Sequence, residues 1–270
     1  MGQILAFSGK KGSGKNTLSN FLHGYQLKSY GLIAAFEIAE TGELVIETDV
    51  RQENGKITKG KGSIDVTRLD IEFTIWAMDN VWPFIKHYAF ATALKELGIG
   101  LFDLSRESVY GTDEQKNSPI KYTWEDMPTK VKGKTGPMTG REFMQYFGTD
   151  ICRKIYSDIW TDRTIKDITA EESNLAVITD ARFENEVRAV QKANGKVIRL
   201  TRSIDEDAHA SELALDSYEE FDAVLDNKNM TIEESCHELI KILDGWGWFD
   251  NKVIIPQEKP LKKQTTMAIK

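Results

Sequence analysis

The segment QILAFSGKKGSGKNTLSNFL, residues 3–22, constrains the fold more than any other stretch of the chain. A short apolar run ends at Ser8-Gly9, as a buried parallel strand would. Glycines follow, and apolar residues then recur at Leu18, Phe21, Leu22 and Tyr25, the i, i+3, i+4, i+7 stripe of a helix packed on a sheet. Gly31 stands just beyond as a stop signal. Gly9, Gly14 and Lys15 match the spacing G-x-x-x-x-G-K of a phosphate-binding loop, and the strand–loop–helix setting is the one that motif requires.

The residue types explain the chemistry. Backbone N–H groups must converge on phosphate oxygens, and a Cβ would block that approach. The helix that follows turns its positive end toward the anion. Lys15 supplies a mobile cation for the β- and γ-phosphates. Gly9, Lys11, Gly12, Ser13, Gly14, Lys15, Asn16 and Thr17 are therefore the candidate nucleotide-phosphate contacts. The position after Lys15 should carry a hydroxyl for Mg²⁺, but it is Asn16, which offers an amide oxygen or holds a metal-bound water. Thr17, about 100° further round the helix, is expected to face the α-phosphate.

Along the remaining chain, strands and helices alternate, which implies an α/β fold with a mostly parallel sheet and one core. Residues 32–39 read as a second strand, 79–102 as helical after Pro83, and 103–138 as a mobile, loop-rich segment. The stretch 40–68 alternates apolar and polar residues about Asn54-Gly55 and reads as an inserted β-hairpin. Thr139 and Glu142 fit a capping box, followed by an apolar stripe of Met144, Phe147, Ile151 and Ile155. Residues 174–180 and 196–202 read as strands, with a helix from about Phe183 between them. A short strand at 222–227 precedes a final helix capped by Thr231 and Glu234. Residues 250–270 are polar and expected to be a disordered tail. The whole of 1–249 is expected to form one domain, with a loop-rich substrate region at about 79–160.

The chain has 270 residues and a formal net charge of −7, which disfavours a general nucleic-acid binder because phosphate backbones need clustered Lys and Arg. Cys152 and Cys236 have neither metal-ligand spacing nor a disulfide framework, which points to a reducing compartment. The Gly-Lys-rich loop interrupts the first apolar run, so no signal peptide is expected, and no run is long enough to span a membrane.

The loop G-K-N-T resembles that of the phage deoxynucleoside monophosphate kinases, members of the P-loop nucleotide kinases. Further segments agree in order: FATALK (90–95), TGREFMQYFGTDICR (139–153), ITDARFENE (178–186), RLTRSIDEDAHASE (199–212) and FDAVLDNKNMTIEE (221–234). The resemblance covers roughly 1–38 and 82–243; the hairpin and the tail have no counterpart in it, and Asn16 stands where the nearest relatives carry Asp. It implies a three-layer P-loop kinase fold with a mobile lid at 202–212, and ATP with Mg²⁺ as cofactors. It implies transfer of a phosphoryl group to a deoxynucleoside monophosphate in the cytoplasm, of the host cell if the origin is a phage, and leaves a homodimer open.

The resemblance also implies roles for particular residues. Arg141, with Gln145 one helical turn on, would hold the monophosphate; Arg202 would be the lid arginine that reaches ATP; and Asp180, at the end of a strand, would meet a sugar, a base or a metal-bound water. Lys15, Arg141 and Arg182 are the candidate catalytic charges. Arg182 and Glu186 lie at i and i+4, and read either as site residues with Asp180 or as an ordinary helix pair. Trp160 reads either as a nucleobase stacker or as a core indole. His209, Ser211 and Glu212 are too close in sequence to form a hydrolytic triad. Two other readings are a different small-molecule kinase of this fold, such as a dephospho-coenzyme A kinase type, and a regulatory P-loop ATPase. A GTP-binding switch is excluded by the absence of N-K-x-D, since Asn227-Lys228 continues as Asn229-Met230.

Overall fold

The computed structural model describes residues 2–51, 55–203 and 214–248. Two units emerge from the packing: one comprises the chain up to Tyr88 and from Ile168 onward, the other Ala89–Asp167.

The larger unit is built on a five-stranded parallel sheet. In chain order its strands are β1 (Gln3–Ser8), β5 (Ile85–Tyr88), β8 (Leu175–Ala181), β9 (Lys196–Leu200) and β10 (Ala223–Leu225), arranged β10-β9-β1-β8-β5. The central strands are apolar on both faces, as parallel strands covered on both sides must be. Leu5 and Phe7 of β1 join a core with Leu18 and Leu22 of α1 (Lys15–Ser29) and Leu239 and Leu243 of the last helix, α10 (Ile232–Gly245). Helix α9 (Glu184–Lys192) packs on β9 and β1. Gly195 lets that chain pass close: a Cβ there would lie 2.7 Å from Val190 and 2.8 Å from the Ile4 carbonyl. The predicted capping box opens α10, with Glu234 N–H donating to Thr231 Oγ1 at 3.2 Å and Thr231 N–H to Glu234 Oε2 at 2.7 Å.

Several expectations change here. The strand at Phe36–Ile38 (β2) does not join the central sheet; it pairs antiparallel with β3 (Leu44–Arg51), which pairs with β4 (Ile57–Ile64). The predicted hairpin is thus two strands of a three-stranded sheet. Its pairing ends at Arg51↔Ile57, and Asn54, the centre of the predicted turn, lies outside the described residues. Alternation buries one face, with Leu44, Ile46 and Ile64 entering the main core, and leaves Glu37, Glu47, Lys59 and Lys61 outside. The span 79–102 is not one helix. Helix α2 (Ile71–Asn80) precedes it, and Ile85–Tyr88 forms the sheet edge beside β8. Four residues, Ile-Lys-His-Tyr, are too few to declare a period in sequence, and their register with Leu175–Ile178 decides it.

In the smaller unit, α3 (Ala91–Phe102) is the helical part of the span read as helical, while the short helices α4 (Arg106–Tyr110) and α5 (Asp113–Lys116) and a β6–β7 pair (Pro119–Thr123 with Pro137–Thr139) occupy what reads in sequence as loops. Helix α6 (Gly140–Gln145) begins at the predicted Thr139/Glu142 box, passes into a π-helical stretch at Tyr146–Cys152 and ends as α7 (Arg153–Ile155). Phe143 and Tyr146 are buried where the helix enters the π stretch and Cys152 where it leaves, and Ile155, predicted in the apolar stripe but beyond the wider turn, is 80% exposed. Helix α8 (Ile159–Glu171) leads back toward β8. The predicted tail and most of the predicted lid, 204–213, lie outside the described residues.

Candidate active site

The site is built where the carboxyl ends of β1, β8, β9 and β10 lie side by side, the edge at which open α/β sheets present ligand-binding groups. Ser8 ends β1 in register with Ala181 of β8 and Arg199 of β9, so Asp180 and Arg202 arrive beside the start of the glycine loop. Gly9 must be glycine because a Cβ would sit 2.5 Å from Ser13 Oγ and 3.0 Å from the Leu200 carbonyl. Gly14 caps α1 in the left-handed conformation, φ +96°. The first turn of α1 carries no acidic residue, so its positive end is not neutralised by its own side chains. Lys11 and Gly12 are exposed at the crown of the loop, while Ser13 is buried.

Lys15 Nζ donates to the Gly9 carbonyl at 2.7 Å, the Lys10 carbonyl at 2.8 Å and Ser13 Oγ at 3.3 Å. These acceptors are neutral, so the ammonium is held over the loop with its charge uncompensated by them. A phosphate oxygen brings a full opposite charge that these acceptors lack, and so attracts the ammonium more strongly than they do. Asn16 projects into solvent and makes no side-chain hydrogen bond among the described residues. Thr17 has its hydroxyl against the β2–β3 turn.

Arg202 follows β9 and is fastened by Asn227. Asn227 Oδ1 accepts from Arg202 N–H at 2.9 Å, and the Asn227 carbonyl accepts from Arg202 Nε at 3.1 Å and Nη2 at 2.9 Å. Asn227 Nδ2 donates to the Ser13 carbonyl at 2.8 Å, and the residue is 1% exposed. One side chain therefore ties the phosphate loop to the root of Arg202. A second tie runs through Arg199, which donates to Ser8 Oγ at 3.1 Å and to Asp216 at 3.0 Å, while Asp216 also pairs with Lys10 at 3.3 Å. Sequence reasoning passes over Asn227, Arg199 and Asp216. The available signal for Asn227 is its place directly after a strand on the ligand edge.

Asp180 is half-buried at the end of β8. Glu186 is 2% exposed, and its Oε2 accepts from the backbone N–H of Arg182 at 2.7 Å and of Phe183 at 3.1 Å. It caps the start of α9, and this sets the path of the Asp180–Arg182 turn. In the smaller unit, Arg141 Nη2 meets Asp113 at 2.7 Å and its Nε meets Asn117 Oδ1 at 3.0 Å, so α5 aims the guanidinium; Gln145 lies one turn on, half-buried. Trp160 is 4% exposed, with its Nε1–H donating to the Gly148 carbonyl at 3.2 Å, the contacts of a packed indole. His209, Ser211 and Glu212 lie outside the described residues.

A sequence model of the deoxynucleotide monophosphate kinase family matches residues 3–238. The chain belongs to this family. A protein of Acanthamoeba polyphaga mimivirus that carries the provisional name deoxynucleotide monophosphate kinase is 32% identical over 171 residues, covering 58% of this chain and 82% of the viral one. Membership makes the chain a nucleoside monophosphate kinase, a phosphotransferase, and sets aside the regulatory ATPase and the dephospho-coenzyme A kinase type. Among the described residues no helix is long and apolar enough to cross a membrane.

Proposed function

We propose that the chain transfers the γ-phosphoryl group of ATP to a deoxynucleoside monophosphate, with the donor on the Gly9–Thr17 loop. The observation that supports this most is the placing of Lys15 Nζ over the glycine loop by the Gly9 and Lys10 carbonyls, at the N-terminus of a helix whose first turn carries no acidic residue. The backbone N–H groups of the loop bind the donor phosphates, Lys15 follows the γ-phosphoryl group as charge moves onto it, and Arg202 lies against the donor. Arg141 and Gln145 hold the acceptor phosphate, and Arg182 and Asp180 meet the acceptor. Glu186 acts through the turn that it caps. The nucleophile is already an anionic phosphate oxygen, so positioning and electrostatics carry the reaction without a tuned base.

Mg²⁺ fits this edge. Asn16 is exposed at the start of α1 and Asp180 is half-buried at the end of β8, a sparse pair of oxygen donors of the kind that serves an ion held mostly by nucleotide oxygens and water. Asn16 and Asp180 would supply the protein oxygens, and the ion would neutralise phosphate charge. ATP and deoxynucleotides are solutes of the cytoplasm, and we place the reaction there.

The test is ADP release from Mg-ATP across the eight common ribo- and deoxynucleoside monophosphates. Turnover on the order of 1–100 s⁻¹ is expected with a deoxynucleotide acceptor, and Lys15→Ala should lower kcat by about 10²-fold. Hydrolysis of ATP that no monophosphate alters would overturn the proposal.

A further inference from the structure

The three-stranded insert grips α1 along a single stripe. Thr17, Asn20, Phe21 and Gly24 lie at i, i+3, i+4 and i+7, which is one face of a helix. Gly24 faces Phe36 so closely that a Cβ would lie 2.3 Å from its ring. Phe21 packs against the same ring with centroids 5.8 Å apart. At the N-terminal end of the stripe, Asn20 Nδ2 donates to the Gly42 carbonyl at 2.8 Å. Gly42 is buried in the β2–β3 turn at φ +85°, and a Cβ on it would lie 2.4 Å from Thr17 Oγ1. The turn itself is closed by Gly42 N–H to the Ala39 carbonyl at 2.8 Å and Ala39 N–H to the Glu43 carbonyl at 3.0 Å. Its strands are anchored in the main core through Leu44, Ile46 and Ile64. A backbone turn fixed by the core thus presses on the side chain two residues after Lys15.

We infer that the insert is a donor-side positioning element. Gly42 and Asn20 fix the Thr17 side chain, and so set the affinity of the phosphate loop for the donor nucleotide without altering that for the acceptor. The inference rests on the proposed role of the loop as the donor site. A β-branched side chain has few χ1 states, and the Gly42 backbone decides which of them Thr17 has room for. An added Cβ displaces Thr17 Oγ1, which occupies the space the methyl group needs. With Thr17 facing the α-phosphate of the donor, as its place in the loop implies, the effect expected is the loss of that one hydrogen bond to a charged oxygen, about tenfold in affinity.

The experiment compares KM for ATP and for the acceptor in the wild-type chain, Gly42→Ala, Asn20→Ala, Thr17→Ala and the Gly42→Ala/Thr17→Ala pair, with calorimetric binding of a non-hydrolysable ATP analogue alongside. Gly42→Ala should raise KM for ATP about tenfold and leave KM for the acceptor in place. Asn20→Ala, which leaves the left-handed backbone at Gly42 untouched, should move the same constant in the same direction by less. In the Thr17→Ala background the Gly42 substitution should add nothing, because the clash it creates is with the removed hydroxyl. Additive effects, equal shifts in both KM values, or a loss of thermal stability alone would overturn the inference. Failure of the underlying reading would look different: the wild-type chain would neither bind the analogue nor turn over.

Discussion

His23 should make folding sensitive to mild acid. It lies on α1, 1% exposed, with Nδ1 2.8 Å from the Ser19 carbonyl. A carbonyl only accepts, so Nδ1 carries a proton. Burial pushes its pKa down from 6.5 to about 3; the Ser19 carbonyl opposes this in part, and repulsion from His87 adds to it. The unfolded chain takes up a proton near pH 6.5 and the folded one only near pH 3. Between those values the unfolded state binds more protons, so stability is complete above pH 6.5 and falls as pH falls. At about 1.4 kcal/mol per unit, going from pH 7 to pH 5 costs about 2 kcal/mol through this one ring. The assay is urea unfolding of the wild-type chain and His23→Leu at pH 7, 6 and 5. Leucine forfeits the Ser19 bond at every pH but cannot take up a proton. Relative to wild type the variant should therefore gain about 2 kcal/mol between pH 7 and pH 5. Every other titrating group is common to both chains and cancels. Parallel curves would show that His23 is not held neutral by burial.

Asn227→Ala removes acceptor and donor together, leaving Arg202 N–H and the Ser13 carbonyl without it; at about 1–3 kcal/mol per stranded group, unfolding free energy should fall by about 2–6 kcal/mol, read by denaturant titration. A change within about 0.5 kcal/mol, that of an ordinary surface substitution, would refute the staple. Asn16→Asp should keep activity. Asn16→Leu should raise the Mg²⁺ concentration for half-maximal turnover while leaving the melting temperature without nucleotide in place, and the reverse pattern would make Asn16 a local structural residue. Arg141→Lys exchanges a planar fork for a point charge and should raise KM for the acceptor about tenfold with KM for ATP unchanged; an unchanged acceptor KM would remove Arg141 from the site.

The parts legible in sequence are those whose causes are local. The glycine loop announces itself because the conformations at Gly9 and Gly14 exclude side chains, and the capping boxes at Thr139 and Thr231 because both partners lie within one turn. Strands β8 and β9 are apolar runs of buried parallel type, and the residues at their ends follow from them. Misreadings arise where a distant partner decides. Ile85–Tyr88 is a strand because Leu175–Ile178 lies beside it, and Phe36–Ile38 stands apart from the central sheet because its partner is Leu44–Ile46. The π turn at Tyr146–Cys152 rotates the helix after it, so the stripe predicted through Ile155 fails in its last turn.

The same division explains the site. Lys15 and its glycines are contiguous, and spacing alone reveals them. Asn227 acts on Ser13 across more than two hundred residues of chain, and Gly42 acts on Thr17 from within an insert that reads as decoration. Both belong to a second layer that orients the loop and need not touch a nucleotide to matter. Reaction geometry tolerates little error, since about 1 Å of misplacement costs on the order of 10²-fold in rate. A loop whose N–H groups must converge on one phosphate is therefore sensitive to whatever fixes its flanks. Here one flank is held by a buried amide and the other by a backbone turn with no room for a methyl group. For this reason the donor site cannot be reduced to its motif. The motif supplies the groups that meet the phosphate, and Asn227 and Gly42 supply the rigidity that lets them meet it together.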